Sequence, residues 1–244
     1  MSLVHFSRIK NVGVITFRGS SCHPWGAQIS EHRFNRLLLN DLFAAMARVD
    51  EELANLSTVI FTGHGRFFSN GFDLDYFKTA SHSQALQVQR DLEIVMARIL
   101  KLPVITVAAL NGHAAAAGAL FSLACDFRIL NSNSVFYVPA AKLGLSYSPG
   151  FAKLGLFRLK PQVFRDVFLL SRKFTSTEAL TAGIVDLVAP NEEAVMEEAL
   201  RLCHVHAKPQ SSMRMTIHCE VINALENATD AERDMGWSKF TSKL

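Results

Sequence analysis

The sequence predicts an α/β fold, and three observations carry the prediction. Short β-rich runs alternate with amphipathic helical stretches through the first half of the chain, which favours parallel strands joined by crossover helices. The 244 residues are 49% apolar, enough to bury a real core in one globular unit. From residue 192 onward the pattern is helical only, a region expected to pack on the core or on a second copy.

Val12 to Phe17 (VGVITF) alternates and is β-rich, so a strand is predicted, followed by a polar loop through His23-Pro24-Trp25-Gly26. Asn35 to Leu53 places Leu38, Leu42, Ala45, Met46 and Val49 at helical spacing. Ser57 to Thr62 (STVIFT) reads as a buried strand closed by Gly63 and Gly65. A second helix is predicted over 83–100, stopped before Pro103, and Val104 to Leu110 (VITVAAL) is an apolar strand ended by Asn111-Gly112. Further strands are predicted at Phe127–Leu130, Val135–Val138 and Ile184–Val188, with helices near 150–170 and 176–182. Three terminal helices follow, around 192–207, 209–227 and 230–240. The expected division is a core over 1–191 and a helical C-terminal region over 192–244.

Composition narrows the function. Charged residues are 19%, and 25 Lys plus Arg against 22 Asp plus Glu leave a net charge of +3 spread along the chain. That excludes a strongly basic nucleic-acid binder and gives no reason for an acidic membrane surface. No apolar run reaches the ~18 residues a spanning helix needs, since Asn111, His113 and Asp126 interrupt the longest. Cys22, Cys125, Cys203 and Cys219 lack CxxC spacing and read as free thiols in a reducing compartment, with no signal peptide expected. Cys203, His204, His206, His218 and Cys219 cluster in sequence, but two His two residues apart lie about 200° apart on a helix. A metal site is not expected there.

Two segments carry candidate chemistry. Residues 65–74 (GRFFSNGFDL) follow a strand, and residues 111–119 (NGHAAAAGA) leave a strand and open an apolar helix running to Cys125. A strand that turns into small residues at a helix start offers free backbone N–H groups to a ligand that can approach closely. Gly71 frees the first loop for an unusual turn. Two such loops, each aiming one N–H at the same carbonyl oxygen, form an oxyanion hole. Alone, an Ala-rich helix start also fits close packing, and Gly71-Phe72-Asp73 an ordinary turn.

Together, FFSNGFDL (67–74) and NGHAAAAGALFSLACDFRI (111–129) resemble the two signature segments of the crotonase, or enoyl-CoA hydratase/isomerase, superfamily. FYVPAAKLGL (136–145) and TEALTAGIVDLV (177–188) also resemble family segments, and EHRF (31–34) is most similar to plant-type peroxisomal Δ3,Δ2-enoyl-CoA isomerases. The resemblance implies a crotonase-like spiral of ββα units with a C-terminal helical region that supports a homotrimer or hexamer. It implies acyl-CoA thioesters as ligands, CoA being part of the substrate, and no metal or other cofactor. The oxyanion N–H groups would be those of Phe72 and Ala117, with Asp73 and Asp126 structural. Acyl-CoA would lie across 66–72 and 111–117, touching Arg66, Phe68, Asn70, Gly71, Phe72, Gly112 and Ala117, with Tyr147 beside it.

The implied chemistry is enolate formation on the thioester and a double-bond shift from 3-enoyl-CoA to 2-trans-enoyl-CoA in fatty acid β-oxidation. The positions where relatives carry glutamates hold Leu120, Ala140 and Ser148 here, and 127–160 contains no Asp or Glu. Candidates left for proton transfer are Ser148 and His113, the latter more readily a loop-fixing residue. Asp75, Tyr76 and Glu93 are expected on solvated helix faces, with the acyl pocket the alternative for Glu93 on the helix at 83–100, and Tyr137 and Phe151 are expected in the core. Alternatives are an acyl-CoA-binding protein without turnover, a hydratase or a thioester hydrolase. The sequence ends in Ser242-Lys243-Leu244, the tripeptide read by the peroxisomal import receptor, which implies a peroxisome or a peroxisome-like organelle such as a glycosome.

Overall fold

A computed structural model describes residues 2–18, 21–22, 28–29, 31–203 and 209–237. The chain opens with strands β1 (Val4–Ile9) and β2 (Val12–Phe17), then two-residue strands β3 (Ser21–Cys22) and β4 (Gln28–Ile29) and helix α1 (Arg36–Glu52). Strands β5 (Thr58–Thr62) and β6 (Phe67–Ser69) lead into helices α2 (Leu74–Thr79) and α3 (His82–Lys101). Next come β7 (Ile105–Leu110), β8 (His113–Ala115), α4 (Ala117–Leu123), β9 (Phe127–Asn131) and β10 (Val135–Tyr137). Helices α5 (Pro149–Arg158) and α6 (Pro161–Phe164), strand β11 (Phe174–Thr175), α7 (Ser176–Ala182) and β12 (Leu187–Ala189) precede α8 (Glu192–Leu202), α9 (Ser211–Asn227) and α10 (Asp230–Arg233). Among the described residues no helix is long and apolar enough to cross a membrane.

The expected parallel α/β pattern is present. One sheet runs in the order β1-β2-β5-β7-β9-β12 and a second in the order β11-β10-β8-β6. Strand β2 is buried along its whole length, as a central strand covered on both faces must be, and pairs parallel with β5. Helix α1 starts where Asn35 accepts the Leu38 amide at 3.0 Å, and its Leu38, Leu42, Ala45, Met46 and Val49 are buried as their spacing requires. A Ser81–Gln84 capping box starts α3.

The departures have local causes. Strand β1, which the sequence reading passed over, pairs antiparallel with β2. The helix expected near 150–170 breaks because Lys160, preceding Pro161, is extended (φ −59°, ψ 148°), and a π-helical turn follows at Arg165–Leu169. The strand expected at Ile184–Val188 begins only at Leu187, because Gly183 (φ +74°) caps α7 and Ile184 N–H bonds back to Ala179. The helix expected at 230–240 is interrupted after Arg233, where Asp234 Oδ1 accepts the amides of Gly236 and Trp237 at 2.9 and 3.2 Å and turns the chain; 238–240 lie outside the described residues. His23–Gly26, His204, His206 and Ser242-Lys243-Leu244 lie outside the described residues.

Candidate active site

Strands β6 and β8 pair in parallel, so the loops leaving their ends lie side by side. Gly71 sits in the first loop with φ +85°, and a Cβ there would stand 2.6 Å from Ala116 Cβ and 2.9 Å from the Ala117 nitrogen. A Cβ on Gly118 would stand 2.5 Å from the Ser69 carbonyl oxygen. The small residues therefore serve the contact of the two loops, and through it the closeness of their backbones.

The direction of the two amides follows from their neighbours' bonds. Phe34 N–H donates to the Gly71 carbonyl at 2.7 Å, and Asp73 N–H donates to the Phe34 carbonyl at 3.0 Å. Such a parallel bridge consumes the groups on either side of Phe72 and turns the Phe72 N–H the opposite way. Ala117 opens α4, so its N–H has no intrahelical acceptor. The turn before it is strained: Ala116 adopts φ 49° and ψ −127°, held by its own N–H bond to the Tyr137 carbonyl at 2.9 Å. Asp73 is locked beneath as the α2 cap, accepting from the Tyr76 amide at 3.3 Å and Asn35 Nδ2 at 2.8 Å.

Both amide-bearing residues line one cavity of about 290 Å³, near the lower end for small-ligand sites. Its walls are mostly apolar: Phe72, Ala115–Ala117, Leu120, Val138, Ala140, Leu145, Met235 and Trp237. Arg33, Asp75 and Lys78 form a charged side, where Asp75 bonds Arg33 Nη1 at 3.0 Å and Lys78 Nζ at 3.2 Å. Those partners, Lys78 first, hold the Asp75 carboxyl below its usual range. Among the described residues Asp75 is the one carboxylate in the lining.

The structure brings Asn70, Phe72, Ala117 and Tyr147 together around the cavity. Gly71 and Gly112 instead support it from behind, Gly112 pressed on the Gly65–Arg66 backbone. Phe68 is fully buried in the core, which corrects its expected substrate contact. Arg66 is likewise outside the lining, its guanidinium 5.5 Å from the Phe67 ring centroid and its carbonyl accepting from His113 N–H. His113 also stays outside: Nδ1 accepts from the Val135 amide at 3.3 Å, the ring packs edge-on to Phe67, and burial lowers its pKa. Ser148 caps α5, is fully buried and is not in the lining. Asp126 closes the second segment as expected: burial alone would raise its pKa, but Arg214 and the Thr106 amide hold it low.

Tyr137 and Glu93 depart from their expected places, and Trp237 and Met235 join the site without having been singled out in the sequence. Tyr137, expected in the core, is half-buried and lines the cavity. Trp237 and Met235 close the cavity from the C-terminal region. Glu93, expected on a solvated face, has no exposed surface at all. Its carboxylate accepts from Ser148 Oγ at 2.5 Å, Arg233 Nε at 2.7 Å and Gln89 Nε2 at 3.2 Å. The sequence signal was its place four residues after Gln89 on the same stripe of α3 as the buried Ala85, Met96 and Leu100.

A parallel-sheet spiral with two backbone donors at an apolar cavity defines a crotonase-type fold, and comparison with known proteins agrees. Bacillus halodurans enoyl-CoA hydratase superposes with a TM-score of 0.82 over 100% of both chains at 21% identity. A Mycobacterium marinum enoyl-CoA hydratase gives 0.81 over 94% of this chain and 97% of that one, at 22% identity. The sequence profile of the enoyl-CoA hydratase/isomerase family matches residues 31–243, and the chain belongs to that family. Arabidopsis thaliana enoyl-CoA delta isomerase 3 is 35% identical over 70% of this chain and 75% of its own. The peroxisomal enoyl-CoA delta isomerase 2 of the same plant is 34% identical over the same shares.

Proposed function

We propose that the protein is a Δ3,Δ2-enoyl-CoA isomerase, converting 3-enoyl-CoA to 2-trans-enoyl-CoA. The observation that carries this reading is the pair of backbone amides at Phe72 and Ala117, one from each of two loops in contact, at an apolar cavity. A thioester carbonyl seated there gains negative charge when a proton leaves C2, and the two donors stabilise the resulting enolate. Removing one such donor typically lowers turnover by about 10²–10³. The apolar wall of Leu120, Val138, Leu145 and Trp237 suits the acyl chain, and Arg33 and Lys78 at the rim suit the phosphates of CoA. Similarity to isomerases named as such favours the double-bond shift over water addition. The peroxisomal relatives and Ser242-Lys243-Leu244 support import into a peroxisome-like organelle. Exposed Leu156, Phe157, Met213, Met215 and Ile217 on α5 and α9 support assembly with further copies as a homotrimer or hexamer.

The test is 3-hexenoyl-CoA with the purified chain, followed by the ultraviolet absorbance of the conjugated thioester. Steady conversion is expected. Accumulation of 3-hydroxyacyl-CoA or free CoA would replace the reading with a hydratase or a thioester hydrolase. Binding of acyl-CoA without any product would favour a non-catalytic binder, the reading to which the shortage of carboxylates in the lining points.

A further inference from the structure

Behind the cavity wall lies a polar cluster for which thioester binding has no use. Glu93, Ser148, Gln89 and Arg233 are all buried and bonded to one another around the Glu93 carboxylate. Ser148 Oγ already accepts the Phe151 amide at 3.3 Å, so its single proton is committed to Glu93. The hydrogen bonds of Arg233 do not depend on Glu93 alone, because its guanidinium also donates to the carbonyls of Leu225, Glu226 and Ala228. A buried carboxylate is costly, and an apolar side chain would usually serve stability as well. Its presence calls for another role.

The cluster borders the cavity on two sides. Ser148 directly follows the lining residue Tyr147, and Gln89 Oε1 accepts from the indole N–H of the lining residue Trp237 at 3.0 Å. Phe72, which carries one of the paired amides, packs its ring against Trp237 at 5.5 Å and Phe151 at 6.5 Å. Gln89, bonded to both Glu93 and Trp237, and the ring of Phe72 packed on Trp237 thus link the cluster to the donor pair. The carboxylate inside the cavity, Asp75, is exposed, and Lys78 and Arg33 hold it below its usual range, which makes it the weaker base. Burial pushes the Glu93 carboxyl up from its ordinary value, against the opposing pull of Ser148, Arg233 and Gln89, and so brings its basicity toward that of a useful base.

We propose that Glu93 is the catalytic carboxylate of this site, meeting the acyl carbons once a bound chain parts the Phe72–Trp237 layer. This rests on the isomerase reading. A Glu93 oxygen bonds the C2 proton as the C2–H bond breaks, and the electron pair delocalises onto the thioester oxygen held by Phe72 and Ala117. The same carboxyl then releases the proton to C4 while the C2–C3 double bond forms. Glu93 ends ionised, and no co-reactant is consumed.

Glu93→Gln, Ser148→Ala and the double variant Glu93→Gln/Arg233→Met test the assignment, the last guarding against a fold lost to an unpaired buried guanidinium. Two readouts are followed: turnover of 3-hexenoyl-CoA, and deuterium uptake at C2 of butyryl-CoA in D2O by mass spectrometry. Both Glu93 variants are expected to lose about 100-fold or more in both, with butyryl-CoA affinity by calorimetry changed less than threefold. Ser148→Ala removes a hydrogen bond that favours the ionised carboxylate, so the acid limb of kcat should move to higher pH. Arg233 is the charged group bonded to Glu93; the neighbouring pairs His82–Asp234, Arg90–Asp230 and Lys101–Glu226 are each closed on themselves. Wild-type turnover or exchange in folded Glu93→Gln, or an unmoved acid limb in Ser148→Ala, overturns the role of Glu93 and leaves the isomerase reading standing. Failure of the wild type with both substrates overturns the isomerase reading itself.

Discussion

Gly71→Ala is the sharpest probe of the donor pair, because its consequences are set by geometry. At φ +85° an L-residue incurs about 1–2 kcal/mol of backbone strain. The added methyl also meets Ala116 Cβ at 2.6 Å and the Ala117 nitrogen at 2.9 Å, closer than real Cβ contacts come. Those atoms belong to backbone and to a methyl on the turn, so the loops must part by several tenths of an ångström, and Ala117 N–H is the group displaced. If that amide and Phe72 N–H hold the enolate, kcat should fall by about 10²–10³, the loss expected for one oxyanion donor. Gly183→Ala supplies the comparison: its φ of +74° brings similar strain, but only the Lys160 side chain lies within 4 Å, at 3.9 Å. Gly183→Ala should lose roughly 1–2 kcal/mol in urea unfolding and keep its kcat, while Gly71→Ala should lose about 1–3 kcal/mol more for the overpacked contact. Turnover of 3-hexenoyl-CoA by Gly71→Ala at the wild-type rate, with an intact fold by circular dichroism, would refute the idea that the paired amides act on the thioester.

Other outcomes follow from the same structure. Asp126→Asn leaves Arg214, only 5% exposed, without its partner and should cost about 3–5 kcal/mol in urea unfolding. Because Asp126 is held below its usual pKa, its stabilisation is present above the unfolded value near 3.9 and is lost as pH falls through the folded value, so the wild type should weaken in acid and Asp126→Asn much less. Among Cys125, Cys203 and Cys219, a thiol reagent at pH 8 should label only Cys219 in the native protein, since burial raises Cys203 and pushes Cys125 up to about 12; peptide mass mapping reads the result. Trp237→Ala should lose about 3–5 kcal/mol and, by opening the cavity wall, move the preference in kcat/KM toward longer acyl chains. Met213→Lys/Ile217→Lys should reduce the sedimenting mass to that of one chain, if these exposed side chains of α9 join copies.

The sequence made some of this architecture legible because the signals were local. VGVITF and VITVAAL are strands wherever they pack, and the spacing within 35–53 can bury only one face of a helix. The two loops were readable for the same reason: Gly71 and the alanines of 114–117 mark a close approach of backbones, and backbone amides do not depend on which side chains stand nearby. What failed was set at a distance. Ile184 and Val185 have strand propensity, but the cap at Gly183 claims their amides. Asp234 captures the amides that would have extended α10.

Glu93 shows the same division most fully. Its place beside Gln89 on an apolar stripe could be counted from the sequence, yet a polar pair on a stripe is as easily a shifted solvent face. What turns it inward are Ser148 and Arg233, 55 and 140 residues away in the chain. Neither partner is marked by any local pattern: Ser148 reads as a helix cap, which it also is, and Arg233 as the basic end of a short helix, which it also is. Segments that present backbone to a ligand therefore announce themselves in sequence, while a carboxylate carried on a neighbouring helix is placed by partners far away in the chain. The absence of an acid at Leu120, Ala140 and Ser148 is for that reason no measure of what the site can do. The relevant measure is which carboxylate the folded chain shields from water behind the cavity wall, and among the described residues Glu93 is the one with no exposed surface.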